Sequence, residues 1–385
     1  MNVYTELFGL KSIINAQGTV TVLGGSLMAP ETVEAMRRAA KDWVYLPDLL
    51  EAASREVAAL LGAPAAAITS GAAAGNTLAT AAVLAGGDEK LMERLPHTEG
   101  LPNEVVIQSA HASGWLSTFR AAGAKIKIAG QDPALNRNRD ELVEEAGPGA
   151  VEAAIGEGTC ALAAILSGGS SRPAALGISE LARIAHRHSL PLIVDAAAQI
   201  PPVSNVKRLL NEGADLVVVS GGKAIGGPND TGIVAGRPDL VASCVRQSNP
   251  NTRGIGRGFK VSKEQIVGLV VALRSYAAED ADARLAREWT RIEAIEAKLA
   301  GLPNVRLSRQ FPDESGLPVP RLRIALDERK LGKTASVVAT ELRRGDHQIH
   351  LRGGYESLGE LNVDVQVLRE GEAEIVGDRL RAALT

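Results

Sequence analysis

The chain has 385 residues, 45% hydrophobic and 23% charged, with a formal net charge of −3. This is an ordinary globular balance, too long for one small core, and it excludes a broad electrostatic hold on nucleic acid. Two cysteines, Cys160 and Cys244, exclude a disulfide framework; they lack metal-ligand spacing and read as small core residues. The N-terminus MNVYTELFGLKSI has no charged lead into an apolar run, and no segment matches an uninterrupted membrane span of about 18 apolar residues. A reducing cytoplasm is the expected setting, with no membrane partner.

Residues 1–30 read as irregular. Pro30 opens a helix to about Lys41, and a second helix covers about Leu50 to Leu61. AAAIT (65–69) reads as a short strand that breaks at Ser70-Gly71 into an Ala-rich helix ending near Leu84. Then EVVIQ (104–108) is a strand, 113–123 a helix, KIKIAG (125–130) a strand and CALAAILS (160–167) a strand. A helix over 178–189 leads to the strand LPLIVDA (190–196), then to ADLVVVSG (214–221) and TGIVAG (231–236). Apolar strands alternating with amphipathic helices predict an α/β domain with a largely parallel sheet. From 262 to 300 the pattern is helical. A strand over 319–327, a helix over 334–343 and a final helix ending at Leu384 predict a separate α+β domain. The expected division is an N-terminal arm and helix (1–50), a large domain (51–275) and a small C-terminal domain (276–385).

Two strand ends carry the chemistry. In VSGGKAIGGPNDTG (219–232) an apolar strand ends at Ser220, and two glycines precede Lys223. These glycines allow a sharp turn and leave room around the amine. A Walker loop is excluded, because Val217 stands where its first glycine belongs and Ala224 follows the lysine. GIGRG (254–258) lacks the spacing and the preceding strand of a dinucleotide fingerprint. In LPLIVDAAAQIPP (190–202), Asp195 closes an otherwise apolar strand, where open α/β sheets bind ligands. One connection and one strand separate it from Lys223, so both groups reach one sheet edge. A lysine amine and a carboxylate so placed suit pyridoxal 5′-phosphate (PLP): the lysine as Schiff base, the carboxylate to keep the pyridine nitrogen protonated. Ser70, Gly71 and Ala72 form a strand-to-helix turn of small residues, which suits the cofactor's phosphate. His111, after EVVIQ, is placed to stack on the ring. His97, His186 and His188 read as bland.

These pieces resemble the selenocysteine-synthase-like (SelA-like) branch of fold-type I PLP enzymes, and within it the D-glucosaminate-6-phosphate ammonia-lyase group. The matching segments are INAQGTVTVLGGS (14–26), ITSGAAAGN (68–76), VDAAAQIPP (194–202), VVSGGKAIGGPNDTG (218–232), GRGFKVSKEQIVGL (256–269), IHLRGG (349–354) and GELNVDVQVLREGE (359–372). Gln199 stands where that group often has an acidic residue, and LSGGSSRPAALG (166–177) departs from its pattern. The resemblance implies a PLP-dependent transferase fold, aminotransferase class V-like, with a mostly parallel seven-stranded sheet and a small α+β domain. It implies a cofactor site of Ser70, Gly71, Ala72, His111, Asp195, Ser220 and Lys223. It also implies that Arg352 binds the substrate carboxylate and that Thr21, Gly24 and Ser26 line the pocket mouth. A homodimer or higher homo-oligomer is expected, with Arg257 and Lys260 reaching a neighbouring subunit's site. The tRNA-acting members carry an extra N-terminal region, whereas INAQG begins here at residue 14, so a tRNA substrate is not expected.

The expected reaction is loss of ammonia from a β-hydroxy or otherwise β-substituted amino acid, giving a 2-oxo acid. The rivals are amino acid racemisation or epimerisation, selenium transfer on an aminoacyl-tRNA, and a binding protein that has kept the fold without the cofactor.

Overall fold

A computed structural model describes residues 2–112, 114–130, 147–166 and 175–385. Residue 113 of the expected 113–123 helix, residue 167 of the expected 160–167 strand and most of the 166–177 segment lie outside those residues. Strands in chain order are β1 (Ile13–Ala16), β2 (Ala66–Thr69), β3 (Glu104–Gln108), β4 (Lys125–Ala129), β5 (Thr159–Ile165), β6 (Leu192–Asp195), β7 (Leu216–Ser220), β8 (Gly232–Gly236), β9 (Val305–Gln310), β10 (Arg321–Leu326), β11 (Gln348–Leu351) and β12 (Glu360–Asp364).

The chain divides into two compact units. One is Met28–Ala278; the other joins Met1–Leu27 to Glu279–Thr385. Of the N-terminal segment 1–50 set apart by the sequence reading, residues 1–27 thus group with the C-terminal part and residues 28–50 with the larger unit. The segment is also not irregular: it contains a helix, Val3–Phe8, and β1, which pairs in parallel with β11 from Ile13↔Gln348 to Ala16↔Leu351.

The larger unit carries a seven-stranded sheet in the order β2-β8-β7-β6-β5-β3-β4. The run β7-β6-β5-β3-β4 is parallel, and β8 lies antiparallel between β2 and β7. The sheet is apolar on both faces because helices cover both. In β7, Val217 and Val219 enter one core with the helices Leu46–Leu61, Ile178–Arg187 and Lys263–Ala278. Leu216 and Val218 enter the other, with the helices Gly71–Ala85 and Pro238–Gln247. Cys160 and Cys244 are buried in this second core. Chain order reverses at β3, with β4 on one side and β5 on the other, so the sheet has a switch point there.

The smaller unit holds the β1-β11 pair and the antiparallel sheet β12-β10-β9. Helices Ala281–Leu299, Ala335–Leu342 and Glu372–Leu384 supply its core, with Ile292, Val338 and Val376 fully buried. The helical stretch expected over 262–300 is two helices, interrupted at Glu279-Asp280; the Asp280 carboxylate caps the second by accepting from the Asp282 and Ala283 N–H groups. Among the described residues, no helix is long and apolar enough to cross a membrane.

Candidate active site

Asp195 is the last residue of β6, and Ser220 is the last residue of the neighbouring parallel strand β7. The Ala196 N–H donates to the Val218 carbonyl at 2.8 Å, which carries the pairing past the strand end. Both side chains therefore leave the sheet at its carboxyl edge, as the alternation of apolar strands and connections requires.

After Ser220 the chain makes a closed loop. The Gly227 N–H donates to the Gly221 carbonyl at 2.9 Å, the Gly226 N–H to the Lys223 carbonyl at 2.9 Å, and the Gly221 N–H to the Thr231 carbonyl at 2.8 Å. Neither Gly221 nor Gly222 takes a positive φ. Their need for glycine comes from close approach instead. A Cβ on Gly222 would fall 2.3 Å from Asn229 Cα, and one on Gly221 would fall 2.2 Å from Thr231 Oγ1. The returning segment packs against the bare backbone and holds the half-buried Lys223 at the strand's end.

Asp195 is buried and held by two donors: the Asn76 amide Nδ2 at 2.7 Å and the Ala197 backbone N–H at 3.0 Å. Burial pushes its carboxyl above the usual range, against those donors and the positive charge of Lys223. Burial likewise pulls the Lys223 ammonium down, opposed by Asp195. The two groups feel each other's charge, yet desolvation is the larger influence on both. A lysine so placed favours the neutral, nucleophilic amine.

β8 brings the small-residue turn to the same edge. Gly232 pairs with Ser220 on one side and with Thr69 on the other. A Cβ on Gly232 would fall 2.4 Å from the Gly71 carbonyl carbon and 2.7 Å from the Ala72 nitrogen, so β8 can approach the turn only as glycine. Gly71 itself has φ +80°, with open space where a Cβ would stand. Ser70 precedes the helix Gly71–Ala85 and makes no side-chain cap. The first N–H groups of a 15-residue helix therefore face an uncrowded turn.

His111 closes a short 3-10 turn directly after β3, at the switch point, with β5 between β3 and β6. It is buried, its Nδ1 has no hydrogen-bond partner among the described residues, and burial lowers its pKa to about 4, so the ring is neutral. His186, read as bland, makes a hydrogen bond through Nε2 with the buried Asp215 carboxylate at 2.9 Å. A cleft of about 710 Å³ opens beside β2, lined among others by Leu50, Ala58, Ile68 and Pro250; none of the expected site residues lines it.

Arg257 and Lys260 belong to the larger unit, whereas the expected substrate-binding residues belong to the smaller one. Thr21 opens a 3-10 turn closed by Gly24, whose N–H donates to the Thr21 carbonyl at 3.0 Å; Ser26 is half-buried just beyond. Arg352 follows β11 and is bridged to Asn362 of β12. Its guanidinium pairs with Glu314, which also pairs with the buried Arg321. Asn76 and Glu314 are the two residues that sequence reasoning missed. The only signal for the first was an amide in an otherwise Ala-rich helix.

These residues fit PLP on the geometry of the larger unit. It has an amine and a carboxylate at adjacent strand ends, a bare helix start for a phosphate, and a buried imidazole whose Nδ1 has no partner among the described residues. Over 384 residues the chain is 33% identical to D-glucosaminate-6-phosphate ammonia lyase of Salmonella typhimurium (strain 14028s / SGSC 2262), covering 99% of this chain and 97% of that protein. The chain belongs to that lyase's family. A solved structure of a D-glucosaminate-6-phosphate ammonia-lyase matches the whole chain and 98% of its own, with a TM-score of 0.83 and 32% identity. Among other members, 5'-C-glycyluridine monooxygenase-decarboxylase of a Streptomyces species is 33% identical over 98% of this chain and 90% of that protein. The L-seryl-tRNA selenium transferase (SelA) family profile matches residues 173–304. The architecture is the fold-type I α/β fold of PLP enzymes, as expected from the sequence, and the lyase expectation agrees with the ammonia lyase relative and structure.

Proposed function

We propose that this protein is a PLP-dependent lyase that removes ammonia from an amino acid carrying a hydroxyl or other leaving group on its β-carbon, giving a 2-oxo acid. The observation that carries the reading is the placement of Lys223 and Asp195 after neighbouring strand ends, where each feels the other's charge. Bound PLP supplies an electron sink for the bond broken at the substrate's α-carbon. Lys223 would hold the cofactor aldehyde while no substrate is bound, and its freed Nζ would take the α-proton, a task for which burial favours the neutral amine. Asp195 holds the proton on the ring nitrogen. The turn Ser70, Gly71 and Ala72 holds the phosphate, Ser220 sets the lysine loop's start, and neutral His111 covers the ring. Arg352 receives the substrate carboxylate through its planar fork of donors, a task for which lysine is a poor substitute. Thr21, Gly24 and Ser26 line the entry. Overall, hydroxide and the amine leave and one oxygen returns from water, so that 2-oxo acid and ammonia form in equal amounts.

The named substrate of the ammonia lyase relative, D-glucosaminate 6-phosphate, is itself a 2-amino-3-hydroxy acid and belongs to the proposed class. We further propose a homodimer in which Arg257 and Lys260 serve the neighbouring subunit's site.

The test is a panel of D- and L-3-hydroxy amino acids, with and without phosphate groups, assayed for 2-oxo acid, ammonia and chirality together. Equimolar 2-oxo acid and ammonia are expected. Racemisation without ammonia release would overturn the lyase reading. A visible-edge absorbance band that disappears with borohydride in the wild type, and is absent from Lys223→Ala, is the independent check on the cofactor.

A further inference from the structure

We propose that Asn76 is a positioning residue whose amide fixes the Asp195 carboxylate where it meets the cofactor's ring nitrogen. The proposal rests on the assignment of Asp195 given above and names the group that makes that assignment work. Asn76 is 1% exposed, in a helix whose other buried residues are all alanine, glycine, threonine or leucine. A buried amide costs free energy unless its hydrogen bonds are made. Here Nδ2 donates to Asp195 Oδ2 at 2.7 Å while Oδ1 has no partner among the described residues. The opposite amide orientation would set two oxygens 2.7 Å apart, so the carboxylate dictates which way the amide points. With the Ala197 N–H on Oδ1 at 3.0 Å, each carboxylate oxygen has one fixed donor, and the plane of the group is set.

The helix gives the contact a second meaning. Its first turn is the phosphate cradle at Gly71, and Asn76 lies five residues further on, about 7.5 Å along the axis at the usual rise. One rigid element therefore references both the phosphate end and the ring-nitrogen end of the cofactor. Gly75 makes the seating possible. A Cβ there would fall 2.6 Å from Val218 Cγ1 and 3.2 Å from Val234 Cγ2, so the helix lies directly on β7 and β8. That close seating carries the next residue within reach of the end of β6.

The test compares two ligands of the apoprotein made from holoenzyme: PLP, and 1-deazapyridoxal phosphate, in which a C–H replaces the ring nitrogen. Asn76→Leu and Asn76→Ala are each measured, so that one unfolded variant does not decide the matter, with Asp195→Ala as the control. Asn76 variants should bind PLP about tenfold more weakly, the size of one charge-assisted hydrogen bond, and bind the deaza analogue within twofold of wild type. Equal weakening of both ligands would mean a packing role and overturn the proposal, as would an unchanged preference for PLP in both variants. The control separates the two levels of argument. If Asp195→Ala keeps the wild-type preference for PLP over the analogue, the assignment of Asp195 itself fails. If it loses the preference and the Asn76 variants do not, only the proposal for Asn76 fails.

Discussion

The guanidinium of Arg352 is bound to the carboxylate of Glu314, so the residue proposed to receive a substrate carboxylate already holds one. Glu314 has a second partner in Arg321, which is buried and also pairs with Asp313 at 2.9 Å and Asp364 at 3.1 Å. Without Glu314, Arg321 keeps Asp364 on Nε and Asp313 on Nη2 but its Nη1 loses the Glu314 carboxylate, and among the described residues the Arg352 guanidinium keeps the Gln17 carbonyl at 3.5 Å.

If Arg352 binds the substrate's carboxylate, Glu314 is its intramolecular competitor. Glu314→Gln should lower KM for a 3-hydroxy amino acid about threefold with kcat little changed, since part-exposed ion pairs contribute about 1 kcal/mol or less. Arg352→Gln should raise KM by at least about tenfold, the loss of a bidentate charge-assisted pair. Steady-state kinetics on both variants decides it; unchanged KM in both would remove Arg352 from the substrate's path.

Gly232 offers a test of the cradle without touching a charged group. Gly232→Ala places a methyl 2.4 Å from the Gly71 carbonyl carbon, on backbone that cannot swing aside. Overpacking of this kind destabilises by about 1–3 kcal/mol. The turn at Gly71 must also shift, so the PLP dissociation constant should rise at least about tenfold. Chemical denaturation and cofactor titration read the two effects separately. A destabilised protein with wild-type PLP affinity would show that the turn does not hold the phosphate.

The strands that bear the site were legible because they are buried on both faces and end in a single polar residue. LIVD and LVVVS announce themselves, and with them Asp195 and Lys223. What was hidden depends on partners far along the chain. IINA becomes β1 only because Gln348–Leu351 pairs with it, and no local pattern encodes that pairing. β9 reads VRLSRQ, a charged and largely exposed edge strand with none of the apolar signal used to find the others. The roles of Asn76 and Glu314 are contacts across 119 and 38 residues, invisible before the fold is known. The glycines beside Lys223 were legible as special, yet the reason was close packing against Asn229 and Thr231, not an unusual φ.

Two buried groups set opposing pH dependences, one in each compact unit. In the larger, burial lowers His111 to about 4 from an ordinary 6.5. Between those values the unfolded chain binds the extra proton, so this contribution is present above pH 6.5 and is lost as pH falls toward 4. In the smaller, burial raises Glu288 to about 7 from an ordinary 4.5, helped by Asp364 and Glu279 and opposed by Arg284 and Arg291. Here the folded chain binds the extra proton, so the contribution is present below pH 4.5 and is lost as pH rises through 7. Each shift is worth about 3 kcal/mol over its full window. In the wild-type apoprotein the two slopes oppose each other between about pH 4.5 and 6.5. His111→Phe should unmask stability that falls with rising pH, and Glu288→Gln stability that rises with it. Unfolding free energies from denaturant titrations at half-unit pH steps would show both. If neither variant's slope differs from the wild type's, burial does not displace these two groups as described.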